Sequence, residues 1–104
     1  MDKQVDNKII GKITEASSFS KEMLNRSIGA YSKKDIKEAN ENIELLKKLD
    51  TLCDEAKTLA LKKEPIIALS IGYIVDSIGR IGEYAEDISE TVINHLVGVK
   101  EEKK

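Results

Sequence analysis

Ser77-Ile-Gly-Arg-Ile-Gly-Glu-Tyr-Ala-Glu-Asp-Ile-Ser-Glu90 is the stretch that decides the fold, because two helical patterns overlap in it and its flanks. The apolar pattern repeats at alternating steps of four and three residues, at Ile74, Ile78, Ile81, Ala85, Ile88 and Val92. At about 100° of turn per residue, these positions form one seam on a helix and face a partner. A charged pattern with similar spacing lies on nearly the opposite side, at Asp76, Arg80, Glu83 and Asp87. Packing does not require charges there, so that side is where a function could lie.

Helical periodicity divides the rest of the chain as well. A first segment, 3–31, carries apolar residues near helical spacing, and a second, 33–63, keeps heptad spacing over most of its length. Ser32 suits the N-cap of the second helix because its hydroxyl can accept hydrogen bonds from first-turn amides. Asp35 adds negative charge near the positive end of that helix.

Three long helices joined by short connections predict an all-α fold, an antiparallel up-down-up three-helix bundle. Pro65 opens the third helix, 65–97, because proline is favoured in a first turn. Each helix is expected to be about 45 Å long at about 1.5 Å per residue, and the connections allow only chain reversal. We expect one domain over 1–104, with a frayed tail at 98–104.

Composition and charge narrow the class of protein. At 104 residues, with 40% hydrophobic and 35% charged residues, the chain suits a single domain of long helices. A net charge of −2 gives no basic footprint for nonspecific nucleic-acid binding, so no nucleic-acid partner is expected. The polar N-terminus is unlike a signal peptide, and no apolar run approaches the roughly 20 residues of a membrane span. We predict a cytoplasmic protein that meets a membrane only through a partner.

Residues that carry catalytic chemistry are few. Cys53 is the only cysteine and falls at an apolar helical position, which favours a buried, inert thiol. His95 is the only histidine and lies near the apolar seam, so we expect it to be partly buried at a helix end and not a ligand. Helical spacing brings no Ser-His-Asp or Cys-His set together, and no Gly-rich loop follows a strand. We therefore predict that the protein is not an enzyme.

A face of small residues in the third predicted helix indicates close approach by another helix. It contains Ala68, Gly72, Val75 and Gly79, with Gly82 beyond. Each glycine costs about 1 kcal/mol of helix stability relative to alanine, and close packing is the natural compensation. The neighbour is either a helix of the same bundle or a second chain, and the residues leave both open. The second case predicts a homodimer with twofold symmetry that uses this face.

Several short motifs between Asp35 and Asn94 recur in one known family in the same order. Lys34-Asp35-Ile36 matches a basic residue and Asp before a helix, Leu49-Asp50 matches a pair within that helix, and Pro65 matches the start of the next. The most specific family motif is Leu-Glu-Arg-Ile-Gly-Asp-His-Ala-x-Asn-Ile-Ala-Glu. Here it stands as Ile78-Gly-Arg-Ile-Gly-Glu-Tyr-Ala-Glu-Asp-Ile-Ser-Glu90, with Arg80 and Glu90 conforming. The sequence resembles the PhoU family of phosphate-signalling proteins.

The resemblance implies one three-helix repeat of a kind that typical members carry twice in tandem. It also implies a metal on the surface of the third helix, bound through a Glu/Asp-x-x-x-Asp motif that Glu83 and Asp87 match, with Asp76 as a further candidate. Carboxylates at i and i+4 project on one face about 6 Å apart, so they can share a hard cation. The metal class stays open between iron, zinc and magnesium. The family's usual Glu and His are replaced by Gly79 and Tyr84, which removes two ligand candidates.

In function, the resemblance implies a non-enzymatic regulator of phosphate transport or signalling that contacts a membrane phosphate transporter complex or its sensor kinase. An alternative is a dimerisation or sensing module of a transcriptional or ion-transport regulator, because PhoU-like bundles also occur attached to such domains. The residues also allow a solvated charged face without a function, in which Arg80 pairs with Asp76 and Glu83.

Overall fold

The chain folds into three long helices that all pack against one another. The computed structural model describes the backbone of residues 2–102 and the side chains of residues 4–96. Helix α1 spans Asp2–Lys33, α2 spans Ile36–Ala60 and α3 spans Pro65–Glu102. The bundle is a rod with extents of 64 × 18 × 16 Å. The predicted all-α three-helix bundle is confirmed. Because α3 continues through Glu102, it passes its predicted end at 97, and residues 103 and 104 of the predicted frayed tail lie outside the described part.

The first chain reversal is built at Lys34 and Asp35. Lys34 adopts a left-handed conformation with φ of 56°, and the amide of Asp35 donates to the carbonyl of Ala30 at 2.9 Å. This pattern closes the C-terminus of α1 with a Schellman turn. Asp35 then caps α2, because its carboxylate accepts from the amide of Glu38 at 3.0 Å. The prediction of Ser32 as the N-cap is wrong, since α1 continues through it to Lys33.

The second reversal is a short turn held to α1 by an ion pair. Helix α2 ends at Ala60, earlier than the predicted end at 63, and the amide of Lys63 donates to the carbonyl of Ala60 at 3.0 Å. Pro65 opens α3 as predicted. The ammonium of Lys63 lies 2.6 Å from a carboxylate oxygen of Asp6, which ties the turn to the start of α1.

Three of the six buried positions in the described part of α3 lie one residue beyond the predicted ones. Its buried positions again alternate in steps of three and four, at Val75, Ile78, Gly82, Ala85, Ser89 and Val92. Three predicted seam residues, Ile78, Ala85 and Val92, are indeed buried. The prediction is wrong for Ile74, which is 50% exposed, while Ile81 and Ile88 lie half-buried at the seam's margin. The small residues Gly82, Ala85 and Ser89 occupy the middle of this seam.

Helix α3 lies close to α2 at Gly82, which is buried. A Cβ atom at this position would collide with the Cδ2 methyl of Leu49 and lie 3.1 Å from a methyl of Leu46. Gly72 and Gly79 have nothing within 4 Å of their Cβ positions. The close neighbour of Gly82 therefore belongs to the same bundle. Val75 is only 1% exposed, so it cannot belong to a surface that binds a second chain, and the predicted partner face loses this member.

A polar residue joins all three helices in the middle of the core. Asn42 of α2 is fully buried, and its amide nitrogen donates to the carbonyl of Met23 at 2.8 Å and to the hydroxyl of Ser89 at 3.1 Å. Its carbonyl oxygen is buried without a hydrogen-bond partner among the described residues. A buried amide that loses such partners costs about 1–3 kcal/mol, so these bonds disfavour any sliding of one helix along another.

By length and composition alone, Pro65–Leu96 of α3 could cross a membrane. An 18-residue window in it has a mean hydropathy of 1.3, and only 17% of that window is buried in the bundle. The expectation that no segment of the sequence is long and apolar enough is therefore wrong for this helix. Core helices of soluble proteins pass the same test, so this result does not place α3 in a membrane. It shows that most of this apolar window is not buried in the bundle.

Replacing Gly82 with alanine tests the close approach of α3 to α2. We expect Gly82→Ala to lower the free energy of unfolding by about 1–2 kcal/mol, because the fully buried Leu49 side chain must move within a filled core. The matched control is Gly79→Ala on the same helix, where the space is open and helix propensity alone should add about 0.5–1 kcal/mol. Urea denaturation measures both. Equal effects of the two substitutions would contradict the packing.

Candidate functional site

The charged side of α3 is exposed, but its residues do not pair as the sequence suggested. Asp76, Arg80, Glu83 and Asp87 are all exposed. The guanidinium of Arg80 donates to the hydroxyl of Ser77 at 3.2 Å. Within the part of the chain that the structure describes, Arg80 makes no ion pair with Asp76 or Glu83, so the expected pairing along one helix is not formed.

Asp76 is bound instead by a lysine of the neighbouring helix. The ammonium of Lys57 on α2 lies 2.5 Å from a carboxylate oxygen of Asp76. This hydrogen bond raises the pKa of Lys57 above its ordinary value. A cation at Asp76 would have to displace the ammonium, which makes Asp76 the weakest of the three predicted metal ligands.

Glu83 lies at a shallow groove between α2 and α3. The groove has a volume of about 360 Å³ and is lined by Asp50, Cys53, Asp54, Lys57, Val75, Asp76, Gly79 and Glu83. Cys53 forms part of its floor, and its sulfur lies 3.9 Å from the carbonyl of Val75. Burial raises the pKa of the Cys53 thiol, and the nearby Asp50 carboxylate raises it further. The prediction that the Cys53 thiol is buried is confirmed.

A cluster of three carboxylates lies further along α3. One ligand oxygen from each of Glu86, Asp87 and Glu90 can be chosen so that all three lie within 4.8 Å of one another. Glu86 is half-buried and the other two are exposed. The structure thus gathers Asp87 with Glu86 and Glu90, and Glu83 is not part of this group. The role of Glu86 was not predicted, although its i, i+4 spacing from Glu90 is the same signal that related Glu83 to Asp87.

The pKa of Glu86 reflects both its burial and the repulsion between the carboxylates of the cluster. Burial raises the pKa of Glu86 above its ordinary value, and the carboxylates of Glu90 and Asp87 raise it further. Such a site gains from a bound cation, which removes the repulsion. Carboxylate oxygens are hard donors that suit Mg²⁺, Ca²⁺ or Mn²⁺ better than zinc, so the donor chemistry fits a metal of the magnesium class.

His95 lies away from this cluster. It is exposed, and it lines a pocket at the far end of the bundle with Tyr31, Ser32, Lys34, Val92 and Leu96. The expectation of a partly buried histidine is therefore wrong. Val92 on the same helix is buried, whereas His95 lies outside the buried seam and is exposed.

Comparison with known families identifies the family of this chain. The family model described as PhoU domain matches residues 13–92, which include the bundle's core and the charged side of α3. The chain belongs to the PhoU family. This confirms the resemblance on which the sequence prediction rested. Searches of curated proteins and of solved structures give no match. A PhoU domain indicates involvement in phosphate regulation, and the family is regulatory and not enzymatic.

The pKa of Glu86 makes a prediction about stability and pH. Because the folded-state pKa is raised, the unfolded chain releases this proton first, so stability falls as pH rises through the folded-state value. We expect Glu86→Gln to raise the melting temperature by about 1–2 °C near pH 7 at low salt, with the gain vanishing below about pH 4.

Calorimetry of the wild type and the variant across this pH range measures the effect. The exposed Glu41 of α2 supplies the control, because Glu41→Gln removes the same charge outside the cluster. A gain for Glu86→Gln that persists unchanged at acid pH would show that its origin is not the carboxylate's ionisation.

Proposed function

We propose that this PhoU domain is a non-enzymatic regulator of phosphate transport or signalling that acts through protein-protein contacts in the cytoplasm. The observation that carries the proposal is the PhoU match over residues 13–92. The burial of Cys53 and its raised pKa also work against its use as a nucleophile, because the thiolate is the reactive form. The regulatory surface is then a helix face, and α3 offers the most distinctive one.

The proposed partner is a membrane phosphate transporter complex or its sensor kinase. The charged side of α3 supports this assignment, because Arg80 is exposed and carries no intrachain ion pair among the described residues. A charge in that state can bind an acidic group of a partner without first breaking an internal ion pair. In this proposal the domain reaches the membrane only through the partner.

A second candidate function is a dimerisation or sensing module of a transcriptional or ion-transport regulator. The observation that favours it is the apolar surface on the first half of α3, where Ile66, Leu69 and Tyr73 are exposed. A module whose main task is association needs such a surface, whereas a module that acts through charge does not.

We also propose that the carboxylates of α3 bind a divalent cation. The family motif predicted Glu83 and Asp87 as the ligands, and the geometry adds Glu86 and Glu90 around Asp87. The cation would neutralise the repulsion that raises the pKa of Glu86. Bound metal would then change the charge that the α3 surface presents to a partner, which links cation binding to regulation.

Reversing one charge tests the proposed partner. We expect purified cytoplasmic parts of the phosphate transporter and of the sensor kinase, assayed separately by biolayer interferometry, to include one that binds the wild-type domain. Arg80→Glu should weaken that binding by about tenfold or more, because it replaces attraction with repulsion. Lys47→Glu, an exposed charge reversal on α2, is the matched control and should bind as the wild type does. Binding to neither protein would contradict the proposal.

Melting temperature in the presence of Mn²⁺ tests the cation site. We expect about 5 mM Mn²⁺ to raise the melting temperature of the wild type by several degrees if the dissociation constant is about 1 mM. Asp87→Asn with Glu90→Gln should abolish the shift. Glu83→Gln separates the two ligand sets: loss of the shift supports the family pair, and retention supports the cluster around Glu86. An equal shift in wild type and the double variant would rule out both.

A further inference from the structure

The first half of α3 exposes large apolar side chains that the bundle does not use. The run Pro65–Val75 contains no charged residue, yet Ile66, Leu69, Tyr73 and Ile74 are each half or more exposed. At about 100° per residue, these four lie on the side of the helix that faces away from the buried Val75. Together with Ile67 they form one face, which we name the α3 apolar face.

We propose that the α3 apolar face binds the same face of a second copy of this chain, forming a twofold-symmetric dimer. This dimer face differs from the one the sequence predicted. Val75 is buried, and Ala68, Gly72 and Gly79 are half-buried beside it, so the small residues face toward the bundle. The inference rests on the same surface as the second candidate function and names its occupant, and it does not depend on the proposed transporter or kinase partner.

The size of the face matches one side of a stable dimer. From their exposed fractions, its five large apolar residues present on the order of 500 Å² of surface, within the range of about 300–600 Å² for the largest apolar patch of a typical monomer, which is often functional. A standard interface buries about 800 Å² on each partner, of which about 60% is apolar. Ser70, Ser77 and the edges of the turn supply the remaining polar part.

The charge distribution also favours a second copy. A twofold interface brings each residue near its own counterpart or near residues on the same face, so like charges there would repel. The α3 apolar face has none, and two of the charges beside it are already engaged. Asp76 pairs with Lys57, and Lys63 pairs with Asp6. Two copies can therefore meet without like-charge repulsion at the centre of the contact.

Lipid is a poorer occupant of the same face. A helix that spans a membrane cannot also hold Val75 and Ile78 in the core formed with Leu49 and Leu52. Helices that lie on membrane surfaces carry many basic residues, whereas Arg80 is the only Lys or Arg between 65 and 96, against five acidic residues. Anionic headgroups would be repelled by that excess.

The test measures the mass of the full chain in solution and the effect of one charge on the face. By sedimentation equilibrium from about 1 to about 100 μM, we expect the wild type to reach twice the chain mass of 11.6 kDa. Leu69→Glu should raise the dissociation constant at least about tenfold, because it places two like charges in the contact. Ile10→Glu is the matched control: Ile10 of α1 is 60% exposed and Leu69 is 57% exposed. Tyr73→Ser is a milder second variant, and circular dichroism checks that each one folds.

Three outcomes would overturn the proposal. One is a wild-type monomer at the highest concentration. The second is a dimer that Leu69→Glu and Ile10→Glu affect equally. The third is a monomer that co-sediments with vesicles of phosphatidylglycerol and phosphatidylcholine, which would identify a lipid surface as the occupant. None of these results bears on binding to the transporter or the kinase, which is measured separately with Arg80→Glu.

Discussion

The approach of α3 to α2 over Gly82 is the constraint on which the rest of the molecule depends. Gly82 is buried against Leu49 of α2, so this side of α3 faces inward. Side chains project from a helix at fixed angles around its axis. The inward position of Gly82 therefore also sets the direction in which every other side chain of α3 projects. The carboxylates at Asp87 and Glu90 and the α3 apolar face are exposed as a direct result. The bonds from Asn42 to Met23 and Ser89 then fix how far each helix can slide.

The sequence predicted the number of helices and the family, and it misplaced three of the six predicted buried positions of α3 by one residue each. Ile78, Ala85 and Val92 belong to both the predicted and the observed seam, but Ile74, Ile81 and Ile88 were chosen over Val75, Gly82 and Ser89. A pattern search favours the largest apolar residue at each turn. Where helices lie very close, the inner positions favour small residues instead, and the isoleucines cover the margin. This distinction depends on the distance between helices, which one sequence does not contain.

At the candidate site too, spacing along one helix predicted some features, whereas contacts between helices were not predicted. Spacing along one helix was enough to find Asp87, and the same rule applied to Glu86 and Glu90 would have found the whole cluster. The pairing of Asp76 with Lys57 joins two helices, so no spacing rule within α3 predicts it. The N-cap of α2 was placed at Ser32 for a related reason: Ser32 and Asp35 are both good caps, and the choice depends on where α1 ends.

A dimer through the α3 apolar face would change what the charged side of α3 can do. The centre of that face, near Ser70, lies about 25 Å along the helix from Asp87 at about 1.5 Å per residue, so the contact leaves both carboxylate clusters free. Two clusters and two copies of Arg80 would then be held in one rigid particle. A partner with two matching sites would bind with an affinity raised by effective concentration, without any new contact. A dimer contact in the first half of α3 would thus strengthen a weak charged contact toward the C-terminal end of the same helix. A single bundle carries one copy of the charged site and cannot gain affinity in this way.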